Sequence, residues 1–180
     1  MTCVVGIDPG FEGAMAFLDP EAALMRVEDM PIFVYATTRE RKRIDPYGVA
    51  RELMAQNVSN IYIEEVNASP QMGVVSAFSF GEGKGILLGV AAALGIPVTM
   101  VKPTNWKRVL RVPADKRASV QRASQLFPSV ASQFKGPRGG VYDGRAEAAL
   151  ISLFGAMELG RGPTAPVKIW ETSGEEEAVA

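Results

Sequence analysis

The chain of 180 residues is 47% hydrophobic and 22% charged, which fits one ordinary soluble domain and is too short for a second of full size. Its single cysteine, Cys3, excludes an internal disulfide, and it contains no histidine. The absence of histidine excludes histidine-dependent triads and histidine-ligated zinc. We find no signal peptide and no run of about 18 apolar residues, so we expect a reducing, cytoplasmic location.

The net charge is only −1, but the charges are segregated along the chain. Residues 1–34 contain six acids and one base, whereas residues 101–145 contain ten Lys or Arg and two acids. A second basic group lies in a predicted loop and consists of Arg39, Arg41, Lys42 and Arg43. This pattern is typical of proteins that neutralise phosphates with one surface and collect divalent cations with another. Solvated helix faces would give the same pattern.

The first half of the chain predicts a meander of strands followed by a helix. Apolar runs separated by turn residues indicate strands at residues 3–8, 14–18 and 24–31. After the basic loop, Asp45-Pro46 provides an N-cap and a proline at the first helical position, which predicts a helix of about three turns. Residues 61–66 then indicate a fourth strand, which ends in acids.

The second half predicts one more strand and a series of helices. We expect helices at residues 76–94, 103–110, 115–127 and 143–159, and a strand at residues 96–101. The glycine-rich helix at 76–94 needs close packing, either on its own sheet or against another subunit. Residues 129–142 indicate a mobile loop. The resulting fold class is α/β, with a mixed five-stranded sheet flanked by helices.

The composition changes after residue 160. Residues 1–160 are expected to form the folded domain, because the helical pattern ends there. Residues 161–180 are rich in Pro, Gly, Thr and Glu and include Glu175-Glu176-Glu177, which predicts a disordered acidic tail.

Four acids occupy positions that the pattern of their strand or helix directs towards the core instead of the solvent. Asp8 and Glu64 each end an apolar strand, while Asp143 and Glu147, four residues apart, extend the apolar stripe of the last helix. If these four carboxylates converge in one pocket, they cannot all remain ionised at neutral pH unless cations enter it. Oxygen ligands favour Mg²⁺, for which Mn²⁺ can substitute, and two ions about 3.5–4 Å apart promote phosphodiester hydrolysis.

Most of these acids also have a structural explanation. Asp8 could be a turn residue, Glu64 or Glu65 could pair with a surface lysine, and Asp143 could be an N-cap. Glu147 is the hardest to explain in this way, because an unpaired glutamate on a buried stripe is costly.

Six segments, in this order along the chain, resemble the RuvC-type Holliday-junction resolvases, especially their bacteriophage-like branch. They are GIDPG at 6–10, GA at 13–14, IEEV at 63–66, FGEGKG at 80–85, VKPTNWK at 101–107 and DGRAEA at 143–148. The resemblance implies an RNase H-like fold, and a homodimer that cuts four-way DNA junctions with Mg²⁺. It also assigns catalytic and metal-binding roles to Asp8, Glu64, Asp143 and Glu147.

The resemblance further implies DNA contacts and shows two departures. The phosphate contacts would be Lys102, Lys107, Lys116 and Arg117, of which Lys107 and Lys116 are expected nearest the acids. Glu147 stands where bacterial members usually carry aspartate, and Asp143 precedes it by four residues instead of three. Bacterial members also place an aromatic residue after the second acid to open the junction. Asn67 stands there in this chain, and Met72 and Phe78 are the available substitutes.

Other functions remain open on the sequence. One alternative is an RNase H-like nuclease of other specificity, which would cut flaps, other branched DNA or RNA. Another is a noncatalytic DNA-binding module. Half of an actin-like kinase is disfavoured, because that architecture needs a second such domain and a second phosphate loop.

Overall fold

The structure is a computed structural model that describes residues 2–36, 40–65, 71–113, 115 and 117–170. Three residues considered in the sequence, Arg39, Asn67 and Lys116, lie outside the described residues. The same holds for residues 171–180, which include the acidic part of the predicted tail.

The strands form one large mixed sheet and one separate hairpin. Their bounds are β1 Cys3–Asp8, β2 Ala14–Asp19, β3 Leu24–Asp29, β4 Ile32–Ala36, β5 Glu40–Ile44, β6 Val58–Glu64, β7 Val98–Val101 and β8 Lys168–Ile169. The large sheet has the order β7-β6-β1-β2-β3-β8, and β4 pairs with β5 in the hairpin. Strand β1 is antiparallel to β2 and parallel to β6, and β6 is parallel to β7. The predicted mixed α/β sheet is therefore confirmed, with six strands where the sequence indicated five.

Five α-helices accompany the sheet in the described part of the chain. They are α1 Pro46–Met54, α2 Val74–Ala93, α3 Pro103–Val109, α4 Ala118–Leu126 and α5 Asp143–Glu158. Helix α1 begins as the sequence indicates, since the Asp45 side chain accepts a hydrogen bond from the Tyr47 amide and Pro46 occupies the first turn.

The central strand β1 divides the core into two layers. Neighbouring residues of a strand point to opposite faces, and Val4 packs with α5 and α4 on one face while Val5 and Ile7 pack with α1 and α2 on the other. All three side chains are fully buried. A strand covered on both faces must be apolar throughout, which explains the unbroken hydrophobic run before Asp8.

Helix α5 lies unusually close to the sheet because two glycines permit it. A Cβ atom at Gly6 of β1 would collide with the backbone of Ala148 and Ser152 in α5. A Cβ atom at Gly155 would collide with the ring of Tyr62 on β6. The close contact buries α5 along most of its length and determines where its first turn lies relative to the end of β1.

Three details differ from the sequence-based expectations. The basic residues 41–43 belong to strand β5 and not to a loop. The expected mobile loop at 129–142 contains two 3₁₀ helices, Ala131–Phe134 and Pro137–Gly139, and Phe134 is fully buried. The folded domain continues to residue 170, beyond the expected boundary at 160, because Val167 is buried and β8 pairs with β3.

Helix α2 exposes much of its apolar surface. It is buried only at Gly83, Leu87 and Ala91, while Val74 and Phe78 are 86% and 67% exposed. By length and composition it could cross a membrane, so the expectation that no such run exists is corrected. The buried positions show that one side of the helix packs on the domain core, while none of the residues that the structure describes covers the opposite side.

The contact between β1 and α5 predicts a large effect of a single methyl group. Gly6→Ala should destabilise the fold by at least about 2–3 kcal/mol, because the colliding atoms are backbone atoms that cannot rotate away. Urea denaturation of both proteins measures this difference. Gly162→Ala is the matched control, since its Cβ atom would make an ordinary 3.6 Å contact with Met157, and its stability should change by less than about 1 kcal/mol. Equal stabilities of the two variants would contradict the packing argument.

Candidate active site

Two of the predicted acids meet at the carboxyl ends of neighbouring parallel strands. Ile7 of β1 is in register with Ile63 of β6, so the next residues, Asp8 and Glu64, emerge side by side at one edge of the sheet. Glu64 is only 9% exposed, and its Oε1 accepts a hydrogen bond of 3.0 Å from Trp106 Nε1. Trp106 is fully buried in α3 and thereby sets the orientation of the Glu64 carboxylate.

Helix α5 brings a third acid to the same edge. Glu147 Oε1 accepts a hydrogen bond of 2.7 Å from Ser119 Oγ and lies 3.0 Å from Lys107 Nζ. The Lys107 ammonium also lies 4.9 Å from the centre of the Trp106 ring. Asp143 is the first residue of α5 and is exposed, one turn before Glu147.

Burial and mutual repulsion raise the pKa values of the two strand-end acids. Burial, followed by the negative charge of Glu147, raises the pKa of Asp8 to about 6. The same two causes, in the same order, raise the pKa of Glu64 to about 7. Hydrogen bonds from Gly10 to Asp8 and from Trp106 to Glu64 oppose these shifts, as does the charge of Lys107. Asp8, Glu64 and Glu147 therefore share one poorly hydrated region. Lys107 is the lysine whose positive charge opposes the pKa shifts of Asp8 and Glu64.

A second pair of glycines brings the first turn of α5 against the Asp8 loop. A Cβ atom at Gly144 would collide with the Glu12 carbonyl oxygen and lie 2.7 Å from the Gly13 Cα and 3.0 Å from Asp8 Oδ2. The Gly10 amide donates a 3.3 Å hydrogen bond to Asp8 Oδ1 inside the same loop. This close approach explains why glycine precedes Arg145 in the first turn, and it keeps Asp143 near Asp8.

An arginine ties the same turn of α5 to the end of β3. Arg145 donates through Nε and Nη2 to the two carboxylate oxygens of Asp29, at 2.6 and 2.7 Å. Its third nitrogen donates to the Gln133 carbonyl oxygen, and the guanidinium lies 4.1 Å from the centre of the Tyr142 ring. The Arg145 hydrogen bonds hold the pKa of Asp29 below its ordinary value. The pair positions the helix that carries Asp143 and Glu147.

The acids suit a divalent cation chemically but do not form a closed ligand set. Within the described residues, no group of three or more Asp, Glu, Cys or His side chains is arranged to hold a metal ion. The reason is visible at Glu147, whose carboxylate faces Lys107 and Ser119. Carboxylate oxygens are the ligands that Mg²⁺ prefers, and a cation would relieve the repulsion that raises the pKa values of Asp8 and Glu64.

The predicted basic residues fall into three groups. Lys107 contacts Glu147 directly, and its charge lowers the pKa values of Asp8 and Glu64. Lys102 follows the end of β7 and Arg117 precedes α4; both side chains are exposed. Lys116 lies outside the described residues.

Sequence reasoning missed the residues that support the acids. Trp106, Ser119 and the Arg145–Asp29 pair each hold an acid or the helix that carries it. A signal existed only for Trp106, because a tryptophan between polar and basic residues on a short helix needs a buried partner for its N–H group.

The raised pKa values predict that the metal-free protein is destabilised at neutral pH. The folded state holds protons on Asp8 and Glu64 up to about pH 6–7, whereas the unfolded chain releases them near pH 4. Stability should therefore fall as pH rises from about 4 to 7. Asp8→Asn and Glu64→Gln should each stabilise the protein in EDTA at pH 8 by about 1–3 kcal/mol, with a smaller gain at pH 5.

Thermal denaturation in EDTA at both pH values measures this effect. The control is Glu158→Gln at an exposed position of α5, which should change the free energy of unfolding by less than about 0.5 kcal/mol. Destabilisation by Asp8→Asn and Glu64→Gln at pH 8 would refute the electrostatic account.

Comparison with known proteins identifies the fold. No protein-family model matches the sequence, and no curated protein matches it significantly. Among solved structures, Thermus thermophilus RuvC in complex with a Holliday junction substrate is 16% identical, with a TM-score of 0.57, and the match covers 89% of this chain and 98% of that chain. The yeast mitochondrial Holliday junction resolvase Ydc2 is 16% identical, with a TM-score of 0.54, over 83% and 75%. The chain therefore has the RuvC-type form of the RNase H-like fold.

Proposed function

We propose that this protein is a metal-dependent endonuclease that cleaves branched DNA, with four-way junctions as its substrate. The observation that carries this proposal is the convergence of Asp8, Glu64 and Glu147 beside Lys107 at one edge of the sheet. Buried carboxylates with raised pKa values next to a cationic side chain are suited to catalysis on a phosphodiester. In a cluster with a purely structural role, the repulsion between these carboxylates would only destabilise the fold.

The choice of substrate is supported by the fold and by the charge distribution. The structures with the same fold include a complex with a Holliday junction substrate and a Holliday junction resolvase. Around the acids of this chain, α3, α4 and the segments beside them present exposed cations, namely Lys102, Arg108, Arg111 and Arg117. These cations can neutralise phosphates on either side of the cleavage point without reading the base sequence.

Mg²⁺, for which Mn²⁺ can substitute, would be held by Asp8 and Glu64 together with Asp143 and Glu147. Two such ions, when bound, lower the pKa of a water molecule and neutralise charge on the leaving oxygen. Trp106 holds the Glu64 carboxylate in place, and the Arg145–Asp29 pair holds the first turn of α5. Lys107 neutralises Glu147 in the free protein, and its ammonium would be available to donate to a phosphate oxygen if Glu147 held a cation instead.

We further propose a homodimer that forms through α2. Gly81, Gly85 and Gly89 recur every four residues along one side of the helix, and a Cβ atom at each would enter open space. A glycine stripe on an exposed apolar helix allows another backbone to approach closely. A dimer would supply two active sites, which symmetric cleavage of a four-way junction requires.

Cleavage assays test the proposed activity directly. The purified protein should cut a labelled four-way junction in Mg²⁺, should cut linear duplex, a flap and an RNA–DNA hybrid much less, and should be inactive in EDTA. Asp8→Asn should reduce the rate by at least about 100-fold, since loss of a second-shell partner of a ligand alone costs about 10–100-fold. Glu158→Gln is the matched control and should cut normally.

Three outcomes would contradict parts of this proposal. Cleavage that persists in EDTA or in Asp8→Asn would overturn the metal mechanism. Preference for the hybrid or for a flap would assign another specificity. Junction binding without any cleavage would favour a noncatalytic DNA-binding module.

Light scattering tests the dimer. The wild-type protein should show about twice the chain mass of 19.3 kDa, and Gly85→Leu should shift it to the monomer, because the new side chain fits the helix but blocks close approach. Gln121→Leu, at an exposed position of α4, should remain dimeric. A monomeric wild-type protein at assay concentration would exclude the dimer.

A further inference from the structure

A cleft of about 420 Å³ lies between the β4–β5 hairpin and the beginning of α2. Its walls include three aromatic rings, Phe11, Tyr35 and Phe78, and its edge on the β5 side carries three cations, Arg41, Lys42 and Arg43. The volume is within the range of about 300–1,000 Å³ that small-molecule sites occupy. Packing of the protein core does not explain aromatic rings that line an open cleft beside cations, and solvation of a surface does not explain them either.

The cations of the cleft differ in how they are held. Arg43 is fixed, because its Nε lies 3.1 Å from Glu82 Oε2 and its guanidinium lies 4.8 Å from the centre of the Tyr35 ring. Arg41 and Lys42 are exposed, so their charges face solvent. The acid that lines the cleft, Glu82, is already paired with Arg43, and the lining residues therefore leave an excess of positive charge.

The cleft is connected to the acid cluster through the loop after β1. Phe11 also lines a neighbouring apolar cleft of about 240 Å³, together with Gly10 and Phe80. Both Phe11 and Gly10 line a third cleft, of about 720 Å³, which contains Asp8 and Asp143. These shared residues place the three clefts next to one another between Asp8 and Asp143 and the basic hairpin, and we refer to the three together as the groove.

We infer that the hairpin cleft binds an unpaired nucleotide of the DNA strand whose phosphate lies at Asp8. The bases of a duplex are stacked on one another and cannot present their faces to Tyr35 or Phe78, whereas an unpaired base at a branch can. Arg41 and Lys42 then neutralise the adjacent phosphates. This inference rests on the proposed function, because it takes the strand at Asp8 to be DNA, and it adds the site that recognises the branch.

Charge favours a nucleic acid over a second copy of this chain as the occupant. A two-fold contact through the hairpin would place Arg41 and Lys42 of one copy close to the same residues of the other, which is unfavourable. The exposed glycine stripe of α2, in contrast, carries no charge and suits a second copy.

Fluorescence anisotropy in EDTA tests the inference without any cleavage. The full chain is titrated with a labelled twelve-nucleotide oligo-dT, with the same oligonucleotide carrying abasic sites, and with a duplex. Phe78→Ala should weaken oligo-dT binding by at least about fivefold, and Phe78→Trp should restore it, because stacking needs only an aromatic face. Binding of the abasic strand should not respond to Phe78→Ala.

The cations are tested by the salt dependence of the same binding. Arg41→Ala/Lys42→Ala should reduce the slope of log affinity against log salt by about 1.4, since each phosphate contact on a single strand contributes about 0.7. The matched controls are Arg51→Ala and Val109→Ala, an exposed arginine and an exposed apolar residue outside the groove. Both should leave oligo-dT binding unchanged.

The outcomes separate this inference from the proposed function. Unchanged oligo-dT binding in Phe78→Ala and in the double variant would overturn the inference, even if the protein cleaves junctions in Mg²⁺. Conversion of a dimer to a monomer by Phe78→Ala, with unchanged binding, would also overturn it and would make the cleft a contact between copies. The expected losses in a protein that cleaves no nucleic acid would support the strand site and refute only the nuclease.

Discussion

The structure depends on the contact between strand β1 and helix α5, which the absence of a side chain at Gly6 makes possible. At this distance the backbone of α5 lies directly on β1, and its first turn reaches the loop that follows Asp8, where Gly144 permits a second close approach. Glu147 thereby comes near two acids from the sheet. Substituting a larger residue at either glycine would move the helix and its carboxylates away together.

This contact has an electrostatic cost that the surrounding residues reduce only in part. Burial and repulsion raise the pKa values of Asp8 and Glu64, while Trp106 and Lys107 act in the opposite direction. A fold optimised for stability would replace one of the acids with an apolar residue. The presence of all of them fits the proposed nuclease site, in which cations and a phosphate would supply interactions that the protein alone lacks. In the hairpin cleft, Arg41 and Lys42 likewise present positive charge to the solvent, where phosphates can neutralise it.

Several parts of the site were predictable because they depend on local patterns. Asp8 and Glu64 end apolar strands, and neighbouring parallel strands end at the same edge of a sheet, so their proximity was predictable on the condition that β1 and β6 are parallel neighbours, which the structure shows. The position of Glu147 on the buried stripe of α5 follows from helical periodicity. The partners of these acids were not predictable, because Trp106, Ser119 and the Arg145–Asp29 pair join residues 28 to 116 positions apart. No local pattern encodes such pairs.

The sequence by itself determined the α/β class and the mixed sheet, and it marked the four acids as candidates, since alternation, helical periodicity and turn residues act over a few neighbouring positions. Only the tertiary structure decided that residues 41–43 form a strand beside α2, that β8 pairs with the edge strand β3, and that Glu147 faces Lys107. It also placed the Asp8 loop beside the basic hairpin, so that Phe11 lines the clefts of both. These features arise when distant segments pack on a common core, and their free energies depend on burial and charge at contacts that exist only in the folded chain.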